Sequence, residues 1–326
     1  MEDCKYKLSI IVPMYNAEQY IGSCLNSIIE SDLPKDKYEV IIINDGSKDN
    51  GPAIAKEYVS KYENFIYLEQ ENQGQSVARN NGIRKSYGEY VWCVDADDKV
   101  DSSLNCLLQL LAEFHVDIMA FQLKQVTESG DYLSIECSQP NVKHNCIMKG
   151  SDAIISGYRP SSVCALVIRK QLMIDNSLFF KKGITHQDVE LSYKLFAHAG
   201  DVYFSDIKPY IYIKHPNSTT TSIKPEKRKK RLLDDIVIIE SFKDLSKKFE
   251  ESDPKMAKTI INHVRDLNFG IVHYLYNNKK ELSPLGITNS ILEELQTKHL
   301  YPLKGPYKTW KHRVMSFLLN KEFLLK

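Results

Sequence analysis

Nowhere does this chain of 326 residues carry an apolar run that approaches the roughly 20 needed to span a bilayer. Its start, MEDCKYKLSIIVP, carries acids and no long apolar stretch, so no secretory leader is expected and the chain is expected to stay in the cytoplasm. CxxC pairs are absent as well. The seven cysteines, Cys4, Cys24, Cys93, Cys106, Cys137, Cys146 and Cys164, are an odd number, and several lie in apolar runs such as YVWCVD. That pattern predicts reduced, buried thiols in place of a disulfide framework or a zinc site. Glycine and proline are scarce, 14 and 12 residues, and repeats and low-complexity segments are missing, which excludes collagen-like and disordered chains. At 43% hydrophobic and 26% charged residues, the composition is that of a globular protein with a sizeable core.

Net charge is also small, +1, but it is unevenly spread. From Lys224 onward 21 Lys and Arg face 13 Asp and Glu, a surplus of 8; before it 22 face 29, a deficit of 7. The acidic front suits a bound cation, and the basic back suits phosphates or an anionic membrane.

In the first hundred residues short β-branched runs alternate with amphipathic stretches. Strands are predicted at 7–13, 38–44, 65–69 and 90–94, and helices at 17–29, 51–62, 75–86 and 104–114, the last capped by Asp101 or Ser102. This alternation calls for a mostly parallel sheet with helices on both faces. Farther on, apolar runs at 118–123, 163–168 and 202–204 predict strands, and 187–197 a helix. The charge run KPEKRKKR at 224–231 marks a boundary, beyond which helices are expected at 232–249, 256–276, 287–295 and in the tail 307–326.

Asp45, Asp95, Asp97 and Asp98 all fall at strand ends, where such sheets bind ligands. Three carboxylates in VDADDK repel one another unless a cation or hydrogen-bond donors compensate, and oxygen donors favour Mg2+ or Mn2+. Each piece also has a plain structural reading. Asp45-Gly46-Ser47 suits a turn, and Asp97 or Asp98 could shape one before the next helix.

Taken together, SIIVPMYNAEQYI, VIIINDGSKDN, ENQGQSVARNNGI, GEYVWCVDADD and ITHQDVELSYKL occur in that order over about residues 7–220. The series resembles the family 2 glycosyltransferases, an inverting class with the GT-A fold. The resemblance implies a GT-A catalytic domain over 1–223, with a nucleotide-sugar half to about 100 and an acceptor half from about 101, followed by a basic α-helical region over 224–326. It implies that Pro13 and Tyr15 lie beside the base, Glu18 near the ribose or base edge, and Asp45 on the imide of uracil. The segment with Gly74 and Arg79 would cross the nucleotide, although Arg79 alone could be a helix-surface ion pair. Asp95 would contact the ribose or donor sugar, and Asp97 a divalent metal, Mn2+ or Mg2+, on the diphosphate. Asp188 would be the general base, with Gln187 where relatives carry Glu and Glu190 as an alternative base. His215, in what would otherwise be a surface loop, is a second metal candidate, with Lys214 beside it.

The QxxRW motif of processive synthases is missing, so single-sugar addition is implied. The resemblance thus implies transfer from a UDP-sugar to a glycan or lipid-linked oligosaccharide. The alternatives are a non-catalytic nucleotide-sugar-binding protein or a sugar nucleotidyltransferase. Segments 161–170 and 179–185 are expected to face the acceptor. In the tail, Trp310, Val314, Phe317 and Leu318 share a helical face with Lys308, Lys311 and Arg313 among them, predicting either membrane contact through 307–326 or packing, including a homodimer contact. No nucleic-acid partner is expected.

Overall fold

The computed structural model describes residues 4–137, 142–215, 224–307 and 309–325. The segment 216–223, which closes the expected catalytic domain, and Lys308 lie outside the described residues. Two compact units divide the chain: Met1–Gly183 with Gln187–Pro216, and Ile184–His186 with Asn217–Lys326.

The first unit opens with β1 (Tyr6–Met14), α1 (Ile21–Glu30), β2 (Tyr38–Asn44), α2 (Gly51–Lys61), β3 (Phe65–Glu69), α3 (Gln75–Lys85) and β4 (Gly88–Cys93). Next come β5 (Lys99–Val100), α4 (Leu104–Glu113), β6 (Ile118–Ala120), β7 (Leu123–Thr127), β8 (Tyr132–Glu136) and β9 (Cys146–Lys149). It closes with α5 (Gly150–Ser156), β10 (Leu166–Arg169), α6 (Lys170–Asp175), α7 (Gln187–His198), β11 (Asp201–Phe204) and β12 (Tyr210–Lys214). The main sheet runs β3-β2-β1-β4-β10-β6-β11-β9, all parallel except β10 and β9. This is the mixed, mostly parallel α/β architecture expected. A smaller sheet, β5-β12-β7-β8, lies beside it, with β12 and β7 parallel.

Isoleucine and valine fill β1 and β2 because both strands are covered on both faces, and Ile10, Ile11, Val40 and Ile42 are fully buried. Against them α3 packs at Gly82, where a Cβ would come within 2.6 Å of Ile11 and Ile43 side chains. Only glycine lets the helix lie so near the sheet. Across the middle, Trp92 on β4 donates from Nε1 to the Cys164 carbonyl at 2.8 Å and meets Phe121 edge-on, tying β4 to the segment before β10.

Several boundaries shift for local reasons. The first helix begins at Ile21 because residues 18–20 form a turn. The expected cap of α4 is replaced by an Asx-type turn in which Asp101 Oδ1 accepts from the Ser103 amide at 2.9 Å. The single run 118–123 is two strands in different sheets, β6 and β7, broken at Phe121-Gln122. Of 163–168 only the second half enters β10. All seven cysteines are free, but only Cys24, Cys93 and Cys164 are buried; Cys4 and Cys106 are exposed.

In the second unit the long helices α8 (Pro225–Phe249) and α9 (Pro254–Asn277) bury Ile236, Ile239, Phe242, Ile260 and Val272. Three shorter helices follow: α10 (Lys279–Leu282), α11 (Ile287–Thr297) and α12 (Trp310–Leu319). Thr185 and His186 are held by α8, through Asp234 Oδ2 at 2.6 Å and Asp235 Oδ1 at 2.7 Å. The Tyr301 hydroxyl donates to the Leu319 carbonyl at 2.9 Å and the Asn320 amide side chain pairs with Leu303, so α12 is fixed by its inner side. Trp310, Val314, Phe317 and Leu318 remain exposed. Among the described residues no helix is long and apolar enough to cross a membrane.

Candidate active site

Open α/β sheets take ligands beyond the carboxyl ends of their strands, where strand order reverses. Here β2 lies on one side of β1 and β4 on the other, so the reversal falls beside β1. The loops leaving β1, β2 and β4 carry Tyr15, Asp45 and Asp95–Asp98.

The first two loops are knitted together. The Asn16 amide donates to Ser47 Oγ at 3.0 Å, and the Lys48 amide donates back to Asn16 Oδ1 at 2.8 Å. The Glu18 amide donates to Asp49 Oδ2 at 2.8 Å, and the Asn50 amide to Glu18 Oε2 at 3.0 Å. Glu18 therefore spends one oxygen on the start of α2. The rigid frame leaves Tyr15 exposed at the end of β1, with Pro13 opposite Ile43 in the ladder.

Asp45 is only 3% exposed. Its Oδ1 accepts from Gln70 Nε2 at 2.7 Å and the Gln73 amide at 2.8 Å, and Oδ2 accepts from the Gly74 amide at 2.8 Å. Three of its roughly four acceptor positions are thus engaged in holding the loop that starts α3. At Gly74 the backbone is left-handed (φ 89°), and open space lies where a Cβ would stand, so glycine is there for backbone conformation.

From α3, Arg79 reaches the third loop. It is 1% exposed, with Phe180 5.1 Å from its guanidinium carbon. Nη2 donates to Asp95 Oδ1 at 2.5 Å and Nη1 to Asp188 Oδ1 at 3.1 Å. Burial works against its charge, but Asp95 and Asp188 together hold it well above its ordinary pKa. It is a buried bridge, whereas a surface pair was one reading of the sequence. Asp188 stands in the first turn of α7, where the helix dipole favours a carboxylate. Gln187 beside it is buried and accepts from Ser76 Oγ, so a neutral amide ties α7 to α3. A Glu there would add another charge next to Asp188. Glu190, the alternative base, is buried and paired with Lys194, which leaves it no open face toward a substrate hydroxyl.

Asp97 and Asp98 point to different fates. Asp98 is buried, accepting from the Tyr210 hydroxyl at 2.6 Å and the Ile213 amide at 2.7 Å. Burial and then the neighbouring Asp95 push its carboxyl up to about 8, while the bonds from Tyr210 and Ile213 that fasten β12 to this loop work the other way. The Asp97 side chain is 50% exposed, and its pKa is raised by burial first and Asp95 second. His215 Nε2 lies 3.9 Å from Asp97 Oδ2, and its Nδ1 lies 2.6 Å from Glu128 Oε1. The Tyr20 ring stands 4.8 Å from the imidazole. Lys214 is exposed at the end of β12. Among the described residues no three His, Cys, Asp or Glu side chains gather closely enough to hold a metal ion alone.

Sulfur surrounds the inner side of Asp95. Cys24 Sγ lies 3.6 Å from its carbonyl oxygen and Cys164 Sγ 3.7 Å from Oδ2. Burial raises all three core thiols, Cys93 to about 12. Of the segments expected to face an acceptor, 163–168 is buried, leaving Ser161 exposed, and Phe180 packs on α3 through paired bonds with Asn80.

Sequence reasoning brought together Tyr15, Asp45, Arg79, Asp95, Asp97, Asp188 and His215. It missed Glu128, which sits in no motif, and it gave no role to Tyr20, inside SIIVPMYNAEQYI, or to Phe180, inside 179–185.

Residues 9–135 match the family model described as Glycosyl transferase family 2. The chain is 32% identical over 221 residues to YibD of Escherichia coli K12, an uncharacterized glycosyltransferase, covering 66% of this chain and 63% of YibD. It is 29% identical over 210 residues to the poly(ribitol-phosphate) beta-N-acetylglucosaminyltransferase TarS of Staphylococcus aureus, covering 63% of this chain and 35% of TarS. The crystal structure of TarS 1–349 with UDP-GlcNAc superposes with a TM-score of 0.62 at 22% identity, covering 98% of this chain and 82% of that one. A Pyrobaculum calidifontis mannosyltransferase in complex with GDP-Man and Mn2+ superposes with a TM-score of 0.54 at 16% identity, covering 99% and 87%. The chain spans less than two thirds of the length of the curated relatives it matches.

Proposed function

Residues 9–135 belong to glycosyl transferase family 2 in a GT-A fold, and from that premise we propose that the chain is an inverting glycosyltransferase moving one sugar from a UDP-sugar to a glycan or lipid-linked oligosaccharide. One observation carries this reading: Arg79 binds Asp95 and Asp188 at once, so the strand-tip carboxylates and the head of α7 share one site.

In this reading Tyr15 stacks on the uracil beside Pro13, while the remaining acceptor position of Asp45 takes the imide. Glu18 lies at the ribose edge with the oxygen that Asn50 leaves it, Gly74 lets the loop pass over the nucleotide, and Asp95 meets the ribose or donor sugar. The acceptor hydroxyl attacks the anomeric carbon from the face opposite the diphosphate. Asp188 takes its proton as the carbon–oxygen bond to phosphate breaks and the nucleoside diphosphate departs with an extra negative charge.

Asp97 and His215 fit a divalent cation. The Asp97 side chain is half exposed at the end of the β4 loop, and the His215 Nε2 nitrogen stands 3.9 Å from its Oδ2. Their two donors would need diphosphate oxygens and water to complete the set. Bound there, Mn2+ or Mg2+ supplies counter-charge to the leaving diphosphate. A panel of UDP-glucose, UDP-galactose, UDP-GlcNAc and GDP-mannose, with and without Mn2+, tests the proposal. Metal-dependent release of UDP from one donor is expected. Binding with no hydrolysis or transfer under any condition overturns it in favour of a nucleotide-sugar-binding protein. Turnover of a nucleoside triphosphate with a sugar phosphate points to a nucleotidyltransferase.

The outer face of α12 belongs to the same reading, as a contact with the inner leaflet where a lipid-linked acceptor is built. Trp310, Val314, Phe317 and Leu318 recur at i, i+4, i+7 and i+8, with exposed Lys311 and Arg313 on their flanks and no acid in the helix. Apolar insertion with basic flanks suits an anionic lipid surface. Of the two tryptophans, Trp92 is fully buried and Trp310 is 69% exposed, so a fluorescence change reports Trp310. Vesicles containing phosphatidylglycerol are expected to shift that emission to the blue and sediment the protein. The double variant Trp310→Ser, Phe317→Ser is expected to abolish both while keeping donor hydrolysis. No vesicle binding, with a concentration-dependent dimer in its place, overturns the membrane reading.

A further inference from the structure

We infer that Glu128 is the positioning residue that orients His215 toward the cation site beside Asp97, an assignment that rests on the metal reading above. The smaller sheet sets up the pair. In the parallel ladder of β12 and β7, Tyr210 registers with Leu123 and each following pair keeps step to Lys214 with Thr127. One residue beyond the ladder, His215 meets Glu128, and Nδ1 lies 2.6 Å from Glu128 Oε1.

A carboxylate accepts only, so the imidazole proton in this contact belongs on Nδ1. That places the lone pair of the neutral ring on Nε2, the nitrogen that faces Asp97, 3.9 Å from Oδ2 and 3.4 Å from the carbonyl oxygen. The Tyr20 ring packs beside the imidazole, 4.8 Å between centroids and tilted by 55°. The His215 side chain is largely buried by these neighbours, while Glu128 is half exposed. Carboxylate, imidazole and metal in a row is the arrangement in which an outer partner fixes the tautomer and raises the basicity of the ligand, and its loss costs about 10–100-fold in metal affinity. The neighbouring Asp98, bonded to Tyr210 and Ile213, keeps β12 in place and hence the register that presents His215.

The test uses the full chain with Mn2+ as the probe, titrated by electron paramagnetic resonance in the presence of UDP. Glu128→Ala is expected to weaken Mn2+ binding about 10–100-fold. Glu128→Gln, which keeps an acceptor for Nδ1 but loses the charge, is expected to fall between it and the unsubstituted protein. At a pH where the imidazole is neutral, 15N spectra of the metal-free chain are expected to show its one proton on Nδ1, a preference lost in Glu128→Ala. Unchanged Mn2+ affinity in Glu128→Ala, with His215→Ala strongly weakened, overturns the positioning role and leaves the metal reading standing. Mn2+ binding indifferent to both His215→Ala and Asp97→Asn overturns the metal reading itself. A neutral imidazole that carries its proton on Nε2 overturns the inference as well.

Discussion

Asp188→Asn is expected to lower kcat about 100- to 10,000-fold, the usual contribution of a positioned base, while the donor KM stays close to its starting value. The substitution keeps the shape of the side chain, and an amide oxygen can still accept from Arg79 Nη1, which lies 3.1 Å from Asp188 Oδ1. Structure and nucleotide pocket are therefore preserved, and only the proton acceptor is removed. Steady-state rates with the donor identified by the panel, together with UDP binding by calorimetry, check this. Near-normal turnover by Asp188→Asn removes Asp188 from the mechanism. Normal UDP binding alongside lost turnover separates chemistry from misfolding. Glu190 is no substitute, because its carboxylate is buried against Lys194.

Arg79→Met is expected to cost about 3 kcal/mol of stability, the lower end for removing one partner of a buried ionic pair. The lower end applies because the two carboxylates left behind, Asp95 and Asp188, keep 30% and 28% of their side-chain surface in water. In a unit of this size that corresponds to a fall in Tm of about 6–12 °C. Two negative groups then face each other with the buried cation gone, so the double variant Arg79→Met, Asp95→Asn is expected to recover part of the loss, a non-additivity that thermal unfolding reads directly. Arg79→Lys keeps the charge but lacks the fork that reaches both acids, and it is expected to fall between. A Tm unchanged in Arg79→Met removes the bridge from the stability of the fold.

What could be read in the chain without coordinates follows the distance over which its signals act. From β1 to β4 the strands are short apolar runs and α1 has a clear apolar period, so local pattern decides most of the structure, and the strand-tip acids follow from the order of the elements. Between 115 and 215 pattern weakens because the strands are short and polar. LKQVT and YLSIE are held by pairing with each other and with β12, not by composition. The run 118–123 looked like one strand because nothing in its residues shows that it changes sheets at Phe121-Gln122. The site divides in the same way. Asp45, Asp95, Asp97 and Asp188 lie in recognisable motifs. Glu128 sits in a hairpin turn 87 residues from His215, and only sheet register joins them. The bridging role of Arg79 was hidden for the same reason, since a helix carries both its buried and its exposed residues at one spacing.

The sulfur lining of Asp95 gives the molecule a built-in timer. Cys4 and Cys106 lie at the surface, whereas Cys24, Cys93 and Cys164 are sealed in and held as thiols. A maleimide therefore meets surface thiols that react on mixing, Cys137 and Cys146 of intermediate exposure, and a sealed set that reacts only as fast as the centre breathes open. Mass spectrometry of the slow population clocks that breathing at the heart of the nucleotide half, with no introduced label.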